Sequence, residues 1–279
     1  MLLAALLSAT DAAIVTDAGT YGTSNNLTTS QAVSTKVKEI VDLIDGTESG
    51  LAAAQIKFAE DGSLKDMASD VCNNKCDEGT TCFRMSELYP GATCFLTDYI
   101  DGASSITKDQ SFIVQARSEW FRVAIQDGIP TQLAIAHMES ATAVNEWDEA
   151  AGILLGTDDD RGYTVYGRAD GLARDYGTLS SESDHDNALH SKANEKIVTA
   201  LETVRASSSG FTTQTANIIA QLKIIYAQAV LRSTWKVEED LVAGTSHDKS
   251  QAQGLRLALV MGGTGNQVLL DLPRGPKHS

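Results

Sequence analysis

The sequence predicts an all-α fold, a multi-helix bundle with one loop held by disulfides. Three observations indicate this: apolar residues recur at helical spacing in the long segments, only four prolines occur in 279 residues, and all four cysteines lie in one polar stretch. A hydrophobic fraction of 42% in a chain of this length is enough to form a substantial core.

The first predicted helix covers residues 30–45, where Val33, Val37 and Ile40 lie on one face and Gly46 follows as a stop. The other predicted helices, in chain order, cover residues 49–60, 63–71, 108–128, 131–155, 187–206, 212–242 and 248–261. Gly128 and Pro130 are expected to end the helix 108–128, and Gly156 is expected to end the helix 131–155. Residues 157–186 form a polar, glycine-containing connection that we expect to be ordered, with one helical turn in the middle.

This pattern predicts one helical domain over residues 31–262, between a signal-like, irregular segment 1–30 and an irregular tail 263–279. The helix that contains Trp147 aligns with the helix that contains Trp235, since both have a stripe of apolar and small residues that reaches the tryptophan and then acidic residues. Two repeat units, 108–186 and 187–262, would explain this likeness. The alternative is that any two amphipathic helices align equally well.

Charge and the N-terminal residues bear on where the protein acts. A formal net charge of −15 argues against binding to nucleic acid or to anionic membrane surfaces, and it favours the attraction of cations. The apolar run Leu2–Leu7 resembles the back half of a secretory signal without its positive start, and it is too short to span a membrane. Asn26 opens a glycosylation sequon, which also favours the cell exterior.

The cysteines Cys72, Cys76, Cys82 and Cys94 lie in a polar loop that has little core of its own. Gaps of three, five and eleven residues do not match the paired short spacings of a zinc site. We therefore expect two disulfides and an oxidising compartment. The sequence leaves all three pairings open.

The stretch "HMESATAVNEWDEAA", residues 137–151, contains the candidate site. On a single helix 131–155, Glu139 and Glu146 share a side with small and apolar residues, whereas Asn145, Asp148 and Glu149 face away. We expect Glu139 and Glu146 to point inward, and Asn145 and Asp148 to point to water. A buried carboxylate needs a cation, a metal or a proton.

Glu146 and Glu149 also form an E-x-x-E pair on adjacent turns, a geometry from which bundle proteins build carboxylate metal sites. With His137 at the margin, the candidate metal ligands are Glu146, Glu149, Glu139 and His137. Hard oxygen ligands with an imidazole suit iron or manganese. The alternative is that these acids pair with arginines such as Arg117, Arg122, Arg168 or Arg174, or are solvated.

A family resemblance adds to this picture. "EWDEAAGILLG" and the later "YGRADGLARDYGTL", residues 166–179, resemble the iron-assimilating, high-CO2-inducible periplasmic proteins secreted by algae. The resemblance implies iron as the bound ion and E-x-x-E ligands, of which Glu146 and Glu149 match here. It implies a secreted, non-enzymatic iron-binding protein of the periplasmic space or cell surface, with a metal ion and other cell-surface proteins as partners. The alternatives are an extracellular structural or interaction protein without functional metal and, third, a metalloenzyme.

Overall fold

The computed structural model describes residues 12–23, 27–60, 62, 64–76, 78, 80–81, 94, 97, 114–180 and 189–246. These residues are mainly helical, which confirms the predicted all-α class. The strands are β1 (Ala12–Thr16) and β2 (Gly19–Thr23). The helices are α1 (Thr28–Val41), α2 (Glu48–Ala59), α3 (Leu64–Asn74), α4 (Val114–Val123), α5 (Ile129–Ser140), α6 (Val144–Leu155), α7 (Val165–Tyr176), α8 (Lys192–Ser207) and α9 (Phe211–Val242). The predicted helix 248–261 and the tail 263–279 lie outside the described residues.

The strands β1 and β2 form an antiparallel hairpin where the sequence predicted irregular chain. An isolated hairpin is marginal in water, so this one needs support from the bundle. Tyr21 and Ile14 provide it by burying their side chains in the core. In addition, Ala18 N donates to Tyr166 Oη (3.0 Å) on α7, and Gly22 N donates to Glu202 Oε1 (2.7 Å) on α8. The threonine- and serine-rich composition of this segment did not predict strands, because the strands are stabilised by contacts with residues far away in the sequence.

A π-helical turn, Ala124–Gly128, joins α4 to α5 without a break. The prediction that Gly128 and Pro130 end the helix was therefore wrong. The N–H of Ile129 donates to Ala124 O, five residues back, and Pro130 follows in the first turn of α5.

The connection after Gly156 contains more helix than the single turn predicted. A 3-10 turn, Arg161–Tyr163, is followed by the full helix α7. Thr164 caps this helix by accepting a hydrogen bond from Gly167 N on its side chain (3.1 Å), and Gly177 ends it in the left-handed conformation (φ 63°). Residues 181–188 of the connection lie outside the described residues.

Trp147 lies at the centre of the core, completely buried. Its ring packs edge-to-face on Phe211 (5.7 Å between centroids), and its Nε1 donates to Leu201 O (3.2 Å). Helix α9 buries one face against α5, α7 and α8, and Ser233 is the last buried residue of that face. Among the described helices, none is both long enough and apolar enough to cross a membrane.

Candidate functional site

The predicted metal ligands lie around a corner between two helices. The sequence predicted one helix over 131–155, but α5 ends at Ser140 and α6 begins at Val144. Ala141 and Ala143 adopt extended backbone angles, which interrupt the helical phase. A helical wheel carried across residues 141–143 therefore assigns wrong faces to the residues of α6.

Glu146 is a helix-capping residue at the start of α6. Its Oε2 accepts hydrogen bonds from Thr142 N (2.6 Å) and Ala143 N (3.3 Å), and it lies 3.1 Å from Thr142 Oγ1. The backbone hydrogen bond from Thr142 is the main cause of a lowered pKa for this carboxyl. The carboxylate satisfies N–H groups that a helix start otherwise leaves without partners.

Glu139, at the end of α5, holds the cysteine loop. Its Oε2 accepts from Thr81 N (2.8 Å) and its Oε1 from Thr81 Oγ1 (2.6 Å). Glu139 and Glu146 are both half-buried rather than pointing fully inward. Each has found hydrogen-bond donors in the chain, so neither needs a metal or an arginine to compensate for its partial burial.

His137 and Glu149 are the two predicted ligands that the fold brings together. The imidazole Nδ1 lies 2.9 Å from Glu149 Oε2, but the geometry leaves this nitrogen without a well-aligned hydrogen bond. Burial, followed by the nearby Lys75 charge, lowers the pKa of His137 to about 4, so the ring is neutral at neutral pH. Lys75 donates to Ser140 Oγ (2.9 Å), which places a cation at the same corner.

The four predicted ligands therefore do not converge on one point. In the described part of the chain, no group of three or more His, Cys, Asp or Glu side chains is arranged so that it could hold a metal ion. The donor set at the corner consists of two carboxylates occupied by N–H and O–H donors, one exposed carboxylate and a neutral imidazole beside a lysine. It does not fit the closed carboxylate cage of a bundle iron site.

Asp148 is completely buried, which contradicts the prediction that it faces water. The hydroxyl of Tyr21 donates a short hydrogen bond to its Oδ1, and Thr23 Oγ1 lies 3.3 Å from its Oδ2. Burial and the bond to Asp148 raise the pKa of Tyr21, so the phenol remains a donor. This contact could not be predicted from the sequence, because the hairpin that carries Tyr21 was not predicted. Asn145, by contrast, is exposed as expected.

A second buried polar cluster surrounds the π-helical turn and was not predicted. Asp127, in that turn, accepts from Arg168 Nε on α7 (2.8 Å), and this carboxylate raises the pKa of Arg168. Tyr226 of α9 donates to Asp127 O (3.2 Å) and lies 2.6 Å from Thr131 Oγ1. The charges neutralise one another, so the cluster joins α5, α7 and α9 rather than offering a free acid.

Three of the four arginines considered as partners for the candidate acids pair with other carboxylates. Arg168 pairs with Asp127, Arg122 with Glu119 and Arg117 with Glu48. The proposed ion pairs to Glu139 or Glu146 are therefore not formed with these three arginines.

The sequence places His185 and His190 five residues apart beside acidic residues, which can be interpreted as a second metal cluster or as a solvated loop. His190 is buried just before α8. The nearby Asp170 accepts from Ser191 N and Asn194 Nδ2 (2.7 Å each), and burial raises its pKa. Asp170 thus stabilises the start of α8. His185 lies outside the described residues.

Cys72 and Cys94 form a disulfide, and Cys76 is also disulfide-bonded. The Cys72–Cys94 bond confirms a stapled loop. Cys82 and the sequon residue Asn26 lie outside the described residues, so the second pairing and glycosylation stay predictions.

No protein-family model matches the chain, and the searches of curated proteins and of solved structures likewise found no match. A functional assignment therefore depends on the chain's own contacts.

Proposed function

We propose that this chain is an extracellular, non-enzymatic interaction protein in which the predicted iron ligands have structural roles. The observation that carries the proposal is that two of the candidate carboxylates accept hydrogen bonds from the chain itself. Glu146 accepts two backbone N–H groups at a helix start, and Glu139 accepts the backbone and hydroxyl of Thr81. A metal at either side chain would have to displace these bonds.

The cell exterior is supported by the Cys72–Cys94 disulfide, because such bonds persist in oxidising compartments. An interaction role is supported by α9. Beyond Ser233, the described residues of this helix bury no side chain, yet Trp235 and Val242 are large, apolar and exposed. Exposed apolar residues grouped on one element are typical of contact surfaces.

Iron binding is the second candidate. One specific observation favours it: a neutral imidazole, His137, lies beside the exposed carboxylate of Glu149, and both types of group ligate iron. The resemblance to algal iron-assimilating proteins supports the same role. The ion would then be a cargo bound at the surface of the corner.

Titration with ferric and ferrous iron separates the two candidates. The purified wild-type chain is equilibrated with iron, desalted and analysed for metal content, together with the variants His137→Gln and Glu149→Gln. Glu48→Gln, at an exposed carboxylate, is the control. The interaction proposal expects less than one retained iron per chain and no difference among the variants. One iron per chain, lost in both His137→Gln and Glu149→Gln but kept in Glu48→Gln, would overturn it.

A further inference from the structure

Helix α9 has a second apolar stripe opposite its buried face. Ile224, Leu231, Trp235 and Val242, here called the outer seam, are 48%, 62%, 56% and 85% exposed. Their spacing of seven, four and seven residues places them within about 40° of one another at ~100° per residue, and about 160° from Leu222 at the centre of the buried face. A stripe this narrow, with a period near 3.5 residues, is the pattern of a coiled-coil contact rather than of a second core face.

The outer seam is complementary to itself in one antiparallel register. If two copies of α9 cross at the level of Ser233, Ile224 lies opposite Val242 of the second copy, and Leu231 lies opposite Trp235 of the second copy. The polar residues at the intervening seam positions, Gln228 and Glu238, also face each other. Apolar groups thus meet apolar groups, while the Gln228 amide donates to Thr178 Oγ1 (3.3 Å) of its own chain. Such a two-fold contact closes on itself.

The charges of α9 favour the same orientation. Its residues 211–237 include Lys223, Arg232 and Lys236 and no acid, whereas Glu238, Glu239 and Asp240 follow together. Three carboxylates at a helix C-terminus are unfavourable next to the negative end of the helix dipole. An antiparallel copy brings them opposite residues 226–228, about one helical turn from Lys223. A parallel copy would stack acids on acids.

From this complementarity we propose that the chain forms a homodimer through the outer seam of α9, with the two helices antiparallel. The inference rests on the proposed interaction function and names its partner as a second copy. Because the seam lies opposite the buried face, the two bundles sit on opposite sides of the helix pair. The seam extends over 19 residues from Ile224 to Val242, about 27 Å between its ends at ~1.5 Å per residue.

Sedimentation velocity of the full chain over a 100-fold concentration range tests the dimer. The wild type is expected to move from 29.7 kDa toward twice that mass as concentration rises. Leu231→Asp places a charge against Trp235 of the second copy and should leave a monomer throughout. Ile56→Asp, at a 67% exposed position on α2, is the matched control and should dimerise normally. Circular dichroism verifies that both variants are folded.

Cysteine cross-linking tests the orientation. The antiparallel register predicts a disulfide dimer when Ile224→Cys and Val242→Cys variants are mixed, and little when either is oxidised alone. Self-cross-linking of Ile224→Cys alone would indicate a parallel pair and overturn the proposal. So would a wild type that is monomeric at every concentration, or a dimer unaffected by Leu231→Asp. A wild type that dimerises only after removal of residues 247–279 would show that the chain's own end covers the seam, which also overturns it. None of these outcomes changes the iron titration, so failure of the dimer can be distinguished from failure of the proposed function.

Discussion

Asp148 illustrates, at the scale of single residues, how this chain accommodates buried charge. Its carboxylate is solvated by side-chain hydroxyl groups of the hairpin, Tyr21 and Thr23, within the core. A hydrogen bond to a charged group contributes about 1.5–3 kcal/mol to stability.

Tyr21→Phe is therefore expected to lower the free energy of unfolding by about 1.5–3 kcal/mol, because it deletes the donor while Asp148 stays buried. Urea denaturation followed by circular dichroism measures the change. Tyr176→Phe, at a partly exposed tyrosine, is the control and should stay within about 0.5 kcal/mol of wild type. Equal effects of the two substitutions would show that the Tyr21 hydroxyl adds nothing.

His137 gives the chain a pH dependence with a definite sign. Its pKa in the folded state is about 4, below the value of 6.5 expected for the unfolded chain. The unfolded state therefore takes up the proton first as pH falls. The contribution of neutral His137 to the free energy of unfolding is complete above pH 6.5 and is lost between pH 6.5 and 4. The loss should reach roughly 3 kcal/mol.

Urea midpoints at several pH values across this window measure the effect. His137→Gln should reduce the pH dependence of the free energy of unfolding by the amount that corresponds to uptake of about one proton, because glutamine does not titrate. A variant with the same pH dependence as wild type would mean that other groups cause it.

At the scale of the helices, the corner between α5 and α6 depends on its cap. Glu146→Ala removes the acceptor for Thr142 N and Ala143 N and should cost about 1 kcal/mol of stability. Glu149→Ala, one turn further along and half-exposed, should cost less than about 0.5 kcal/mol. Thermal unfolding at neutral pH compares the two. If both variants lose the same stability, the capping role of Glu146 is wrong.

Helix positions were predictable because they depend on local apolar spacing. The predicted helices 49–60 and 212–242 match α2 and α9 to within one residue at each end. The break at residues 141–143 was not predictable, since "SATA" contains neither glycine nor proline, and the polar contacts that hold the break involve Glu146 and Thr142. The candidate site was derived from a wheel across that break, so the predicted sides of Glu146 and Asp148 depended on a phase that the chain does not keep.

At the scale of the whole molecule, the two tryptophan helices differ in their surroundings. Trp147 is completely buried and lies between α8 and α9, whereas Trp235 is 56% exposed on the far side of α9. The sequence could reveal the shared stripe but not which face of α9 the bundle covers, because Ile218, Leu222 and Ile225 form a second and longer stripe. The tryptophans therefore do not occupy matching positions, and repeated halves stay a prediction without structural support.

The unequal burial predicts unequal energetic roles for the two tryptophans. Trp147→Ala should cost about 3–5 kcal/mol in the free energy of unfolding, since it leaves a cavity among Phe211 and Leu201. Trp235→Ala, measured at a concentration where sedimentation shows a monomer, should change it by less than about 0.5 kcal/mol. Acrylamide should correspondingly quench a smaller fraction of the fluorescence in the Trp235→Ala variant than in wild type, because the exposed indole is gone. Comparable destabilisation by the two substitutions would mean that Trp235 supports the monomer fold as Trp147 does, and would return support to a duplicated architecture.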